Sequence, residues 1–406
     1  MKDLKLENAE QKIQRKQLYA QAVFGNEEKR AVLKSLDNSW LASGPRVRDF
    51  EETVSKLFGK KYGVAVNSGS SANLLAVACL GLEKGSEVIT PGCTFATTVF
   101  PLYQNHLVPV FVDVVSGRYT INEDLVESAI TERTKAIMAP HLMGAVLDMP
   151  KLRKIANDYN LILIEDSCDT VAPRLNGTPV SVYSDLTTTS FYGSHVITAM
   201  GMGGMIMADD ENLVKKIRVF RDWGRAGGDK EAFDERFDCD IDGTPYDHKF
   251  LYTELGYNLK MIESAAAFGL EQVKKLPQFT KRRNKNLARF LNYFKQYENK
   301  LFLPQLLPGA ETIWLALPLT IRRDAGFTRY DFLKHMESFG IQTRVLFSGN
   351  ITRHPVMDKL DYRVVGNLDH SDLIMSGGFL LGCHHGMNFG DVDFIIEVAE
   401  KFLSKI

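Results

Sequence analysis

The run Ser190-Phe191-Tyr192-Gly193-Ser194-His195 ends in an imidazole, the side chain best suited to moving protons near neutral pH, and glycines at 201, 203 and 204 follow it closely. A lone histidine is usually structural, so the chemistry depends on what accompanies it. Three other stretches share its placement at the end of a short apolar run. Asn67-Ser68-Gly69-Ser70-Ser71-Ala72-Asn73 combines glycine with small hydroxyls where a helix begins, which lets backbone N–H groups approach an anion with the helix dipole assisting. Taken alone, it is an ordinary capped helix start. Glu165-Asp166-Ser167-Cys168-Asp169 puts carboxylates where they are costly unless partnered. Thr94-Phe95-Ala96-Thr97-Thr98 offers a ring that could stack on a planar group, or simply belong to the core.

An anion cradle, a stacking ring, a carboxylate and an acid/base group together describe the site of a phosphorylated planar cofactor. Pyridoxal or pyridoxamine phosphate fits that set best, with an aspartate keeping the pyridine nitrogen protonated so that the ring acts as an electron sink. Two metal readings are weaker. Asp238-Cys239-Asp240-Ile241-Asp242-Gly243 opens like a calcium loop, but its twelfth position is Lys249 where a bidentate glutamate belongs. Cys383-His384-His385 offers zinc-type donors without a second cluster at ligand spacing, which favours a strand-edge or loop role. No metal site is expected.

These residues need a scaffold. The 406 residues suffice for one large or two ordinary domains, and 45% hydrophobic with 24% charged residues is the profile of a soluble globular protein. A net charge of -1 favours neither nucleic acid nor an anionic membrane as partner. The apolar runs are too short to span a bilayer, and the polar start MKDLKLENAEQK is helix-prone and unlike a signal peptide. Five scattered cysteines without a CxxC pair suit a reducing cytoplasm.

From Tyr62 to Met207, apolar runs such as Val64–Val66, Val108–Val112 and Leu161–Ile164 alternate with helical patterns such as Asn73–Leu82 and Met149–Tyr159. That alternation predicts an α/β fold with a mainly parallel sheet covered on both faces, and ligands of such sheets bind beyond the strand C-termini. A long helical stretch from Met261 to about Tyr297, containing Pro277, leads into a smaller α+β part. The expected division is a helical arm over 1–45, a large domain over 46–285 and a small C-terminal domain over 286–406. Between Arg225 and Tyr246 periodicity fails, giving a Gly- and Asp-rich loop.

The stretches SFYGSH, YDHKFLYTELGYNLKM, LEQVKKLP, RVLFSGNITRHP and DYRVVGNL resemble the DegT/StrS sugar aminotransferase family, and within it the nucleotide-sugar 3-dehydratases. The resemblance implies a fold type I pyridoxal phosphate enzyme with a seven-stranded-type sheet. It implies that Gly69, Ser70, Ser71 and Ser190 hold the cofactor phosphate, Phe95 stacks on the ring, Asp166 pairs with its nitrogen and Asp169 lies near its 3-hydroxyl. Asn258 would reach the phosphate of a partner subunit, so a homodimer with shared sites is expected. His195 matches the histidine that stands in these dehydratases where the aminotransferases carry a lysine. The implied reaction is removal of the C3 hydroxyl from a nucleotide-linked 4-keto-6-deoxyhexose, towards 3,6-dideoxysugars of lipopolysaccharide or related glycans. Pyridoxamine phosphate would be bound noncovalently and regenerated from glutamate.

One dehydratase branch adds a [2Fe–2S] cluster on four cysteines. Cys168 matches the first ligand, but the loop that should hold the other three has Cys239 alone, so the cluster is not expected although the local wording is that branch's. Arg344 and Arg353 could pair with the substrate diphosphate. Two other readings stay open at this point: a nucleotide-sugar aminotransferase whose lysine has been replaced by His195, and a non-catalytic scaffold used for binding.

Overall fold

The computed structural model describes residues 17–406 apart from 227, 229 and 230, so the start MKDLKLENAEQK lies outside the described residues. The apolar runs form β1 (Tyr62–Val66), β2 (Glu87–Pro91), β3 (Val108–Val112), β4 (Thr134–Pro140) and β5 (Ile162–Asp166), joined by β6 (Leu186–Ser190) and β7 (Gly204–Ala208). The sheet order is β1-β7-β6-β5-β4-β2-β3, with the two-residue strand Arg363–Val364 as an eighth at the β3 edge. Only β7 runs against the rest, pairing antiparallel with both β1 and β6. Helices cover both faces, which is why β2, β6 and β7 are buried at every residue.

β6 has the sequence Leu-Thr-Thr-Thr-Ser, yet it lies at the centre of the sheet. Threonine is β-branched and fits a pleated strand, and each hydroxyl here has a partner. Thr187 donates to Glu165 Oε2 (3.0 Å), Thr188 to Asn73 Oδ1 (2.6 Å) and Thr189 to the Ser167 carbonyl (3.1 Å). The last residue of this strand, Ser190, and the end of β5 thereby reach the same edge of the sheet.

In chain order the main helices of the large unit are α1 (Asn26–Asp37), α2 (Pro45–Phe58), α3 (Gly69–Ala78), α4 (Ala96–Gln104), α5 (Met149–Asp158) and α6 (Glu211–Arg221). α7 (Glu263–Phe294) then runs for 32 residues through Pro277 without a break. Its start packs on α1 and α2, while Phe290 and Phe294 near its end lie in the core of the C-terminal part. The division expected at 285/286 therefore falls inside one helix. Beyond it, Leu301–Phe302, Leu317–Ile321, Gly378–Leu381 and Thr343–Val345 form an antiparallel four-stranded sheet in that order. Among the described residues, no helix is long and apolar enough to cross a membrane.

The stretch expected as a structureless loop over 225–246 carries a helical turn, Phe233–Arg236, and a hairpin pairing Cys239–Ile241 with Thr244–Tyr246. Period-based reading misses both because each is only three or four residues long.

Candidate active site

A cavity of about 350 Å³ opens beyond the C-terminal ends of β5 and β6, at the start of α3. Gly69, Ser70, Phe95, Asp166, Asp169, Ser190 and His195 all line it, so seven of the residues singled out in the sequence converge here. Tyr19, Leu315 and Phe347 share the lining.

The first turn of α3 forms one end of the cavity. Ser68 caps the helix: its hydroxyl accepts the Ser71 N–H at 3.1 Å, and the Ser68 and Ser71 hydroxyls lie 2.9 Å apart. The Gly69 and Ser70 N–H groups, first in the helix, have no intrahelical acceptor and carry the positive end of the dipole. A Cβ on Gly69 would lie 2.6 Å from Ser190 Cβ and 2.9 Å from both Ser190 Oγ and Cys168 Sγ. Glycine is thus what lets the helix start meet the Ser190 hydroxyl, forming a cradle of donors for a phosphate. Gly69→Ala should weaken pyridoxal phosphate binding about 10- to 100-fold, because overpacking a tight contact typically costs about 1–3 kcal/mol. An absorbance titration checks this, and unchanged affinity would remove the cradle from the account.

Asp166, at the end of β5, is 5% exposed, and its oxygens accept three hydrogen bonds. Oδ2 takes Asn73 Nδ2 (2.8 Å) and Thr98 Oγ1 (2.9 Å), and Oδ1 takes the Cys168 N–H (3.1 Å). Asn73 is itself oriented, since its Oδ1 accepts from Thr188 and its Nδ2 also reaches the Thr97 carbonyl. Asp169 accepts the Met143 N–H at 2.9 Å. Burial raises its pKa to about 7, opposed by the Met143 N–H and helped by the nearby Asp166 charge, so it sits between its protonated and ionised forms near neutral pH.

His195 lies in the tight connection between β6 and β7. Gly193 N–H reaches the Gly201 carbonyl (2.9 Å), His195 N–H the Tyr192 carbonyl (3.0 Å) and Thr198 Oγ1 the Phe191 carbonyl (2.9 Å). Gly201 and Gly203 adopt φ of 96° and 152°, conformations closed to most other residues, which explains the glycine run. The imidazole Nδ1 is 2.7 Å from the Cys168 carbonyl. A carbonyl can only accept, so Nδ1 carries the proton and Nε2 keeps its lone pair. Burial lowers the pKa to about 4, with the Cys168 carbonyl opposing and the Arg283 charge adding to the fall, so the ring is neutral at pH 7.

Phe95 is half-exposed into the cavity, its ring edge-on to Phe347 at 5.3 Å. The phosphate cradle, the free aromatic face and the buried carboxylate suit a phosphorylated pyridine ring.

Four expected residues lie elsewhere. The Ser71 hydroxyl is engaged by Ser68 and does not line the cavity. Asn258 is exposed, bridged to Asp222 away from the cavity of its own chain. Arg344 is not among the lining residues, and its guanidinium lies over the ring of Tyr19, which is, at 5.6 Å. Arg353 is committed to Asp372 through two hydrogen bonds of 3.0 and 2.7 Å, a carboxylate that satisfies it without a ligand. Conversely, Tyr19, Asn73 and Thr98 belong to the site or its support and were not marked as such; the strand-end position of Asn73 and Thr98 was the available signal.

With this geometry in place, comparison with known proteins is decisive about kinship. The model of the DegT/DnrJ/EryC1/StrS aminotransferase family matches residues 23–400. The chain belongs to that family. It is 37% identical over 398 residues, 95% of this chain and 86% of the other, to the dTDP-4-dehydro-2,6-dideoxy-D-glucose 3-dehydratase of Saccharopolyspora spinosa. It is 36% identical over 394 residues, 94% and 90% of the two chains, to the lipopolysaccharide biosynthesis protein RfbH of Salmonella typhimurium. Among solved structures it superposes on the E. coli GDP-4-keto-6-deoxy-D-mannose-3-dehydratase with bound hydrated PLP at a TM-score of 0.86, with 30% identity, covering 95% of this chain and 100% of that one. The fold is that of the PLP-dependent aminotransferases, as the sequence resemblance implied.

Proposed function

We propose that this protein is a pyridoxamine-phosphate-dependent 3-dehydratase acting on a nucleotide-linked 4-keto-6-deoxyhexose. The observation that carries the reading is His195: a neutral imidazole with Nδ1–H tied to the Cys168 carbonyl and Nε2 left as an acceptor, in a cavity with no lysine on its wall among the described residues. When bound, the cofactor supplies an amine that engages the sugar ketone and a ring that takes up an electron pair. Gly69, Ser70 and Ser190 bind its phosphate, Phe95 packs on its ring and Asp166 holds the proton on its nitrogen. Asp169 exchanges a hydrogen bond with its 3-hydroxyl. His195 Nε2, with its lone pair free, would serve as the base for the proton that this chemistry moves, and the C3 oxygen would leave as water once a proton is delivered to it. Asn258 of one copy completes the cradle of a second copy, making the working unit a homodimer.

The proposed route is redox-neutral, with glutamate restoring the amine. Cys79, Cys93 and Cys383 are buried in three separate apolar clusters, which leaves Cys168 and Cys239. Cys239 sits on the 239–246 hairpin with its thiol donating to the Tyr246 carbonyl. Two thiols do not make a four-thiolate site, so the donor set does not fit a [2Fe–2S] cluster.

Purified protein with pyridoxamine phosphate, glutamate and a panel of CDP-, GDP- and dTDP-linked 4-keto-6-deoxysugars tests the function, with products read by mass. The expected product has lost the C3 oxygen. A stable amino sugar would make the protein a transferase, and no turnover of any nucleotide would make it a binding protein.

A further inference from the structure

The N-terminal segment before α1 has no part in the chemistry so far, yet it is bonded to the C-terminal part and places Tyr19 on the cavity wall. Gln17 pairs in parallel with Ile341, its N–H reaching the Gly340 carbonyl (2.9 Å) and its carbonyl taking the Gln342 N–H (2.9 Å). The Tyr19 N–H donates to Gln342 Oε1 at 3.0 Å, and His384 Nε2 lies 3.2 Å from the Leu18 carbonyl. A Cβ on Gly382 would lie 2.6 Å from the Leu18 carbonyl oxygen, so glycine there makes room for the segment. All of these anchors belong to the C-terminal part, more than 300 residues away in sequence, and their joint effect is to present one phenol to the cavity.

The other hydroxyls on the wall are those of Ser68, Ser70, Thr97, Thr98, Ser190, Tyr192 and Ser194. Thr98 donates to Asp166, and Ser70 and Ser190 belong to the phosphate cradle. Leu315 and Phe347 on the same wall are apolar, and Tyr19 is the side chain that the N-terminal segment adds. Among the described residues its hydroxyl has no hydrogen-bond partner, while the Arg344 guanidinium packs over its ring.

We propose that Tyr19 is a substrate-recognition residue whose phenol O–H, on the wall of the cavity that holds His195, donates a hydrogen bond to a hydroxyl or keto oxygen of the nucleotide-linked sugar. The assignment rests on the function proposed above. Burial and the Asp169 charge raise the Tyr19 pKa, with the Arg283 and Arg344 charges opposing, so the phenol keeps its proton and acts as donor rather than base.

The test is Tyr19→Phe in the full-length protein, with three measurements against the unsubstituted chain: pyridoxal phosphate binding by absorbance, single-turnover conversion of the bound cofactor by glutamate, and kcat/KM for the sugar nucleotide that the unsubstituted chain dehydrates. The first two should stay within about twofold and the third should fall about tenfold or more, mainly through KM, as a lost substrate hydrogen bond requires. A parallel fall in all three would show a packing role and overturn the assignment, as would an unchanged kcat/KM. If the unsubstituted chain binds pyridoxal phosphate but dehydrates no sugar nucleotide, the function itself is wrong and the assignment falls with it.

Discussion

A chain carrying His195→Lys should bind pyridoxal phosphate covalently and lose dehydration. The backbone at 195 is fixed by the Tyr192 carbonyl and the cross-braced turn, so a lysine there projects into the same cavity as the Asp166 carboxylate and the phosphate cradle. Burial of this position, which lowers the imidazole pKa, would also lower that of an amine and increase its neutral, nucleophilic fraction. The substitution removes the Nε2 acceptor and favours the cofactor held covalently on the lysine, as in the lysine-bearing aminotransferases. Dehydration should fall by about 10³-fold or more, the upper range for losing a positioned acid/base group. Borohydride treatment followed by intact mass should show the cofactor on the substituted chain and not on the natural one. Retained dehydration in the variant would remove His195 from the mechanism.

The second large effect belongs to Asp166→Asn. Asp166 accepts from Asn73 and Thr98 on one oxygen and from the Cys168 N–H on the other. An asparagine must turn its NH2 towards one of those donor sets, leaving buried donors facing each other at a cost of about 1–3 kcal/mol. It also removes the charge that keeps a proton on the ring nitrogen. Turnover with saturating pyridoxamine phosphate should fall on the order of 10²-fold or more, beyond what weaker binding explains. A variant that recovers full kcat at high cofactor concentration would reduce Asp166 to a binding role.

The sequence made legible what local patterns encode. The runs forming β3 and β5 are short and apolar, which makes residues just past such strands legible as candidates, and Gly69, Phe95, Asp166, Asp169, Ser190 and His195 line one cavity. What escaped depends on partners distant in the chain. β6 is marked in the sequence only by its end at Ser190, because its threonines satisfy their hydroxyls on Glu165, Asn73 and Ser167, which a hydropathy pattern does not register. Arg353 looked available for a diphosphate because Asp372 arrives from a helix 19 residues further on. Tyr19 gave no local signal, since its placement is fixed by residues 340–342 and 382.

The central claim is that His195 serves a deoxygenation in which the C3 oxygen leaves. A sugar nucleotide labelled with oxygen-18 at C3 measures this directly, incubated with the protein, pyridoxamine phosphate and glutamate. The account predicts that the label appears in water and is absent from the sugar product. An amino sugar that keeps its labelled C3 oxygen would contradict it.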